Sequence, residues 1–455
     1  MRGLLLSIAI MGLAAVPVVA AAPSVPATHP VVASRQAEPD LTYGHTDELP
    51  PPKTVLFSAG PDQIIADAEE WARRGIEAFF LDFVAREWSS DIWARDGKPW
   101  TIGASDETFQ QAKQANEVCR GIGSETFLKV SFDHEFEWFN DLMWQQAYHN
   151  FRQFAIFARE TGCTGMALDI EYVGDQYDFA WEGYDYDGYT RADLVAKVRE
   201  RMTKVMQVLY DEFPAMVFLT FPEEGLSLGT VVHVAWIEEA ARRNAPGGLH
   251  YCTEYTYRNP NIRYMFGHAW ACNALFERLL SDRAKAYWTE KCTIAAGVWP
   301  FGENYQSVYE PGMSLEEFRQ AIAASVMMSP RYNWIYSHNC REQLIGRDLD
   351  KYDGDADLDA YLRVIKEKEV VTTPKYVALA RELRTMRLRD YSADLDLVPF
   401  VSFAGPRDVP AVRLTPAAFC NLDELEATWA IALDYYHGRG VPHSSSKCTQ
   451  VFLAM

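Results

Sequence analysis

Thr164-Gly165-Met166-Ala167-Leu168-Asp169-Ile170-Glu171 is the stretch on which the reading of this chain turns. In an extended strand, successive side chains point to opposite faces. Met166, Leu168, Ile170 and the following Tyr172 then share an apolar face. Gly165, Ala167, Asp169 and Glu171 share the other, two small residues followed by two acids. A strand of a closed parallel barrel has a use for that second face. Its small residues fit the crowded interior, and its acids reach the C-terminal mouth, where such barrels carry their chemistry.

Working outward, seven more β-rich segments surround this one: Thr54–Ala59, Ile76–Val84, Thr126–Phe132, Met216–Phe221, Leu249–Tyr255, Cys292–Trp299 and Tyr332–His338, with the quoted stretch (extended to Tyr172) fourth in order. Helical patterns separate them. Ile64, Ile65, Ala68, Trp71 and Ala72 fall on one helical face, and 140–161 and 190–212 read as longer helices. Thr190 with Asp193, and Ser314 with Glu317, have the spacing of capping boxes. Strand alternating with helix eight times predicts an α/β fold, a (β/α)8 TIM barrel with a small C-terminal extension. An open doubly wound sheet is the alternative, but no Gly-rich phosphate loop follows the first strand.

The expected organisation runs in four parts. Residues 1–20 read as a signal peptide, with Arg2 as n-region, Gly3 to Val19 as apolar h-region and Val18-Val19-Ala20 as cleavage site. Residues 21–52, rich in Pro and Ala, read as a flexible leader. Residues 53–390 form the barrel, and 391–455 a small accessory region in which no second catalytic pattern is visible. Within that tail, residues 435–442 faintly resemble the loop of short helical-pair repeats, which are stable only in several copies. The leader peptide implies a secreted or periplasmic protein, with no membrane attachment once it is cleaved. A net charge of −20 with no basic stripe argues against nucleic acid. Oligomeric state is not legible.

Eight cysteines permit disulfides in an exported chain, Cys420 with Cys448 being the first pair to expect; none has zinc spacing, and several fit buried free thiols equally well. The acidic run 348–359 lacks the Gly and final Glu of an EF-hand and reads as a solvated helix entry.

Aromatic residues gather after the strands: Trp88, Trp93 and Trp100 after the second, Tyr172, Tyr177, Trp181 and Tyr189 after the fourth, Tyr255 and Tyr257 around the sixth, Trp299 and Tyr305 around the seventh. In a barrel these loops open on one face. Rings of this kind stack on the CH face of a sugar while polar groups bind its hydroxyls. Carboxylates gather there too: Asp82, Asp133, Asp169, Glu171, Glu223, Glu224, Glu254 and Glu303. Glycoside hydrolysis needs two carboxyl groups, one protonated and one ionised, and crowding acids in a semi-enclosed mouth pushes their pKa values apart.

The expected reaction is therefore hydrolysis of a glycosidic bond in an oligo- or polysaccharide, with no cofactor. Glu171 is the expected general acid, Asp169 its electrostatic partner and Glu254 the second carboxylate. Asp82, Trp88, Tyr172, Trp181, Tyr255, Trp299, Trp334 and His338 are the expected sugar-binding residues. Two alternatives stand beside it: a carbohydrate-binding barrel without turnover, and a metal-dependent sugar enzyme in which His338 joins Asp82, Asp169 or Glu171 around a divalent ion. Lys129, inward by parity with Ser131, reads as a cation paired with strand-end acids rather than a Schiff-base nucleophile. No Gly-x-Ser-x-Gly elbow is present, which disfavours a serine hydrolase.

The pattern Gly165-x-x-x-Asp169-x-Glu171 resembles the end of the fourth-strand signature of glycoside hydrolase family 18, the chitinase-like barrels. The resemblance implies that Glu171 is the acid and that Asp169 positions the acetamido group of the substrate. Trp334, in the eighth strand, is similar to the floor tryptophan of those sites. The chain departs from the family at Ala167, where a further acid stands, and at Tyr251-Cys252-Thr253-Glu254, where the family has Met-x-Tyr-Asp. The expectation is a glycosidase-like barrel rather than a chitinase.

Overall fold

The computed structural model describes residues 40–82, 84, 106–131, 138–170, 188–222, 228–254, 256–257, 259–300, 313–336 and 358–385. The strands are β1 (Tyr43–Gly44), β2 (Lys53–Ala59), β3 (Ile76–Leu81), β4 (Glu125–Ser131), β5 (Gly165–Asp169), β6 (Val217–Phe221), β7 (Leu249–Thr253), β8 (Thr293–Val298), β9 (Tyr332–Ile335) and β10 (Val370–Val371). The helices are α1 (Pro61–Arg73), α2 (Glu107–Gly121), α3 (Asp141–Thr161), α4 (Arg191–Glu212), α5 (Leu228–Arg243), α6 (Ile262–Leu279), α7 (Asp282–Lys291), α8 (Leu315–Met328), α9 (Leu358–Glu367) and α10 (Pro374–Arg384).

Strands β2 to β9 pair in sequence order and close on themselves. Every barrel pairing is parallel, including the closing one, where Lys53 faces Tyr332 and Val55 faces Trp334. The chain is a (β/α)8 barrel. All eight segments expected from sequence are its strands.

Alternation sorts the side chains as expected. Met166, Leu168 and Ile170 join the large core between barrel and helices, while Ala167 joins the barrel interior with Val55, Ala78, Phe80, Phe127, Leu219, Phe221, Cys252, Ala295, Tyr332 and Trp334. Gly165 is required by close approach: a Cβ there would lie 1.8 Å from the Val217 carbonyl oxygen. The helices begin where their caps predict. Asn140 caps α3 by accepting from the Met143 amide, and the Thr190/Asp193 and Ser314/Glu317 capping boxes are formed at α4 and α8.

The lower interior is closed by polar groups that satisfy one another. Tyr332 donates to Glu125 at 2.7 Å, and Lys53 donates to the other oxygen at 2.8 Å. His250 Nδ1 lies 2.7 Å from Thr293 Oγ1, and Arg331 reaches its Nε2 at 3.3 Å. Arginine can only donate, so Nε2 accepts and the ring proton sits on Nδ1, facing the threonine.

The stretch expected as a flexible leader, 21–52, is corrected at its far end. Tyr43–Gly44 pairs antiparallel with Val370–Val371, Leu49 is buried, and Arg381 pairs with Glu48 at 2.8 Å. Leu41, Tyr43 and Leu49 are apolar side chains that pack on the core from within this Pro-rich run, which composition alone does not reveal. The tail beyond Asp390 lies outside the described residues.

Candidate active site at the barrel mouth

Three strands build a buried charged cluster at the C-terminal end of the barrel. Asp82 follows β3, Lys129 lies in β4, and Asp169 ends β5. Lys129 Nζ lies 3.2 Å from Asp82 Oδ2 and 3.5 Å from Asp169 Oδ2, and donates to Ser131 Oγ at 2.9 Å. All three charged side chains are buried. Lys129 is paired across the sheet with Ala167. The small neighbour leaves room for the lysine stem to run up the wall toward Asp169. Burial alone would strip the proton from this ammonium, but Asp82 and Asp169 outweigh it and hold the pKa above the ordinary lysine value. Lys129 is therefore an ammonium at neutral pH, not a free amine.

Ser58 completes the cluster by donating to Asp82 Oδ2 at 2.8 Å. Simple alternation along β2 sends Ser58 outward, since Val55 and Phe57 face the interior. A register shift between Leu56 and Ala59 and a left-handed φ of +59° at Ser58 accompany its turn inward. A serine held in that region costs on the order of 1 kcal/mol and persists where surroundings fix it. The sequence carries no signal for this bulge, and sequence reasoning misses Ser58.

The opposite side of the mouth is aromatic. Trp334 is fully buried and donates from Nε1 to the Ala295 carbonyl at 3.2 Å. Phe221 packs 5.4 Å from it and Tyr257 5.2 Å, ring centre to ring centre. Tyr336 stacks on Tyr257 at 5.2 Å with 19° between the planes, and meets Trp299 edge-on at 4.7 Å. Phe57, half-buried, joins the two sides: its ring is 4.8 Å from Tyr336 and 5.1 Å from Lys129 Nζ, within cation–π range. Tyr336 and Phe57 were absent from the expected set, although each stands two residues beyond an interior residue of its strand.

Of the expected site residues, Asp82 and Asp169 are brought together through Lys129, and Trp299 and Trp334 lie in the aromatic group. Glu254 is half-buried just beyond β7, on the interior parity of Cys252, and its carbonyl accepts from the Tyr257 amide at 2.8 Å. Glu171, Trp88, Tyr172, Trp181, Tyr255 and His338 lie outside the described residues, as do Asp133, Glu223, Glu224 and Glu303. Among the described residues, no three His, Cys, Asp or Glu side chains are grouped to hold a metal ion. Cys119, Cys163, Cys252, Cys272 and Cys292 are buried free thiols. Burial pushes the Cys119 thiol up to about 12, with Cys163 adding to the effect, so it is unreactive at neutral pH. Cys420 and Cys448 lie outside the described residues.

No family model matches the sequence, and no curated protein does. Solved structures do resemble it in fold. A GH18 chitinase from Pseudoalteromonas aurantia is similar over 70% of this chain and 99% of its own, at 15% identity and a TM-score of 0.39. An O-GlcNAc hydrolase mutant from Thermobaculum terrenum is similar over 71% of this chain and 64% of its own, at 9% identity and a TM-score of 0.38. Both are hydrolases of sugars. The strand order itself establishes the barrel, and likeness this distant adds no argument about the reaction.

Proposed function

We propose that this protein is an exported glycoside hydrolase acting on an oligo- or polysaccharide. The observation that carries the reading is the two-sided mouth: buried carboxylates and a lysine on β3 to β5 face a set of rings formed by Phe57, Tyr257, Trp299, Trp334 and Tyr336. A pyranose presents the matching pair of surfaces, an apolar CH face for the rings and hydroxyls for the charged side.

In this reading Glu171, two residues beyond Asp169 on the same strand parity, protonates the leaving glycosidic oxygen. Asp169, buried beside the Lys129 ammonium, stabilises the positive charge that develops on the sugar ring as the bond breaks. Water adds to the anomeric carbon, giving its proton to the second carboxylate in a direct attack or to the deprotonated Glu171 after a covalent intermediate, according to the spacing of that second carboxylate, for which Glu254 is the first candidate. Trp334, itself fully buried, backs the rings of Phe57, Tyr257 and Tyr336 on which the sugar rests.

The test is release of new reducing ends from a panel of soluble polysaccharides and aryl glycosides by the wild type and by Glu171→Gln. The expected loss in the variant is about a hundredfold or more. Equal cleavage by both proteins would remove Glu171 from the role of acid. Binding without cleavage by both would replace the hydrolase with a carbohydrate-binding barrel.

A further inference from the structure

We propose that Lys129 is the positioning residue of this site, its ammonium holding the Asp169 carboxylate charged and fixed at the mouth while Asp82, Ser131 and Ser58 hold the ammonium in turn. Its catalytic consequence rests on the glycosidase reading; the charge-holding itself does not.

Three observations support it. First, the cluster is built from both sides: Lys129 contacts Asp82 on the preceding strand and Asp169 on the following one, with Ser131 Oγ as a third acceptor. The ammonium donates hydrogen bonds to Asp82 and Ser131 and forms an ion pair with Asp169. Second, among the described residues no other strand brings a second cation to the cluster. Among the described residues, Phe57 and Ser58 of β2 touch the cluster, and Phe221, Trp334 and Tyr336 lie against Phe57 in turn. Lys129 is the one positive charge among these described residues. Third, the room for it is provided in the backbone plan: Ala167 stands at the paired position of β5, and the Ser58 bulge of β2 turns a hydroxyl onto Asp82 rather than onto solvent.

Two carboxylates held by one ammonium leave a buried net negative charge next to the sugar space. In the proposed reaction that charge favours the cationic transition state over the neutral ground state. Without Lys129, Asp82 and Asp169 would share the site without the ammonium's charge, and their mutual repulsion would favour uptake of a proton by the pair. The folded-state pKa of that carboxyl would then exceed its unfolded value. Relative to wild type, a chain lacking the lysine is therefore least destabilised at low pH and loses stability as pH rises through the raised pKa.

The experiment compares wild type, Lys129→Met, Lys129→Arg and the double variant Lys129→Met with Asp169→Asn. Infrared difference spectra at pH 7 are expected to show a protonated carboxyl in Lys129→Met, absent from wild type, from Lys129→Arg and from the double variant. Thermal unfolding is expected to show Lys129→Met closer to wild type at pH 5 than at pH 8, with the double variant recovering stability at pH 8. On the polysaccharide that wild type cleaves, the acidic limb of the kcat/KM profile should move up by about one to three pH units in Lys129→Met and return in Lys129→Arg. A wild type that cleaves nothing sinks the glycosidase reading and leaves the infrared and unfolding results to decide on Lys129. The proposal is overturned if Lys129→Met shows no protonated carboxyl, if its stability loss is the same at both pH values, or if the double variant is no more stable than the single one at pH 8. An active Lys129→Met with an unmoved acidic limb overturns it as well.

Discussion

Two histidines buried in the barrel wall make the fold sensitive to mild acid. His233, in α5, has Nε2 3.0 Å from Thr220 Oγ1 on the outer face of β6. His250 sits in the lower interior between Thr293 and Arg331. Burial pushes the pKa of each down to about 3, and at His250 the Arg331 guanidinium adds to the effect. The folded state thus keeps both rings neutral where the unfolded chain protonates them at the ordinary value of about 6.5. The stabilisation is complete above that value and is lost as pH falls toward the folded pKa. At pH 5 the unfolded state gains about 2 kcal/mol per histidine relative to pH 8, hence ~4 kcal/mol for the pair. That is a large share of the roughly 5–15 kcal/mol that holds a typical domain together. The assay is urea unfolding at pH 8 and pH 5 for wild type, His233→Gln and His250→Gln, each compared with itself. Glutamine keeps an amide for the threonine contact and does not titrate. Each variant should lose about 2 kcal/mol less than wild type between the two pH values. Variants that keep the full wild-type difference would show that these imidazoles are not the groups responsible.

Gly297→Ala should disturb the aromatic floor, because the added Cβ would lie 2.5 Å from the Thr253 carbonyl and 2.8 Å from both Trp334 and Tyr257. Expected are a loss of about 1–3 kcal/mol in thermal unfolding and a raised KM; an unchanged Tm would mean that the floor can shift freely. Arg384→Met should cost about 2 kcal/mol or more, since this half-buried guanidinium donates to the Val326 and Met327 carbonyls at the end of α8 and to Ser329. Arg384→Lys, which cannot reach all three, should recover only part of that in the same denaturation measurement.

What the sequence made legible follows from periodicity. Gly165, Ala167 and Asp169 alternate with Met166, Leu168 and Ile170, and this alone predicted which side chains fill the barrel and which meet the helices. Lys129 was placed inward by the same rule and its pairing with strand-end acids expected from its burial. Ser58 escaped because a bulge breaks the rule within one residue, and nothing in the local sequence marks a left-handed serine. The order of residues 40–52 escaped for a different reason. Their composition is that of a linker, and only the distant Val370–Val371 edge gives Tyr43–Gly44 something to pair with. Long-range pairings of that kind leave no periodic trace in the segment itself.

The pairing of Tyr43–Gly44 with Val370–Val371 also makes neighbours of two points more than three hundred residues apart in the chain. The barrel is thereby clasped as well as closed: opening it between β9 and β2 requires the clasp to release first. The same proximity makes the domain re-cuttable. A short linker joining the end of α10 to the approach to Thr42, with new ends placed in the exposed turn at Gly121–Gly123, asks the chain for no new crossing of the barrel. A chain begun at Lys53, by contrast, would leave the edge of Val370–Val371 unpaired and available to strands of other molecules.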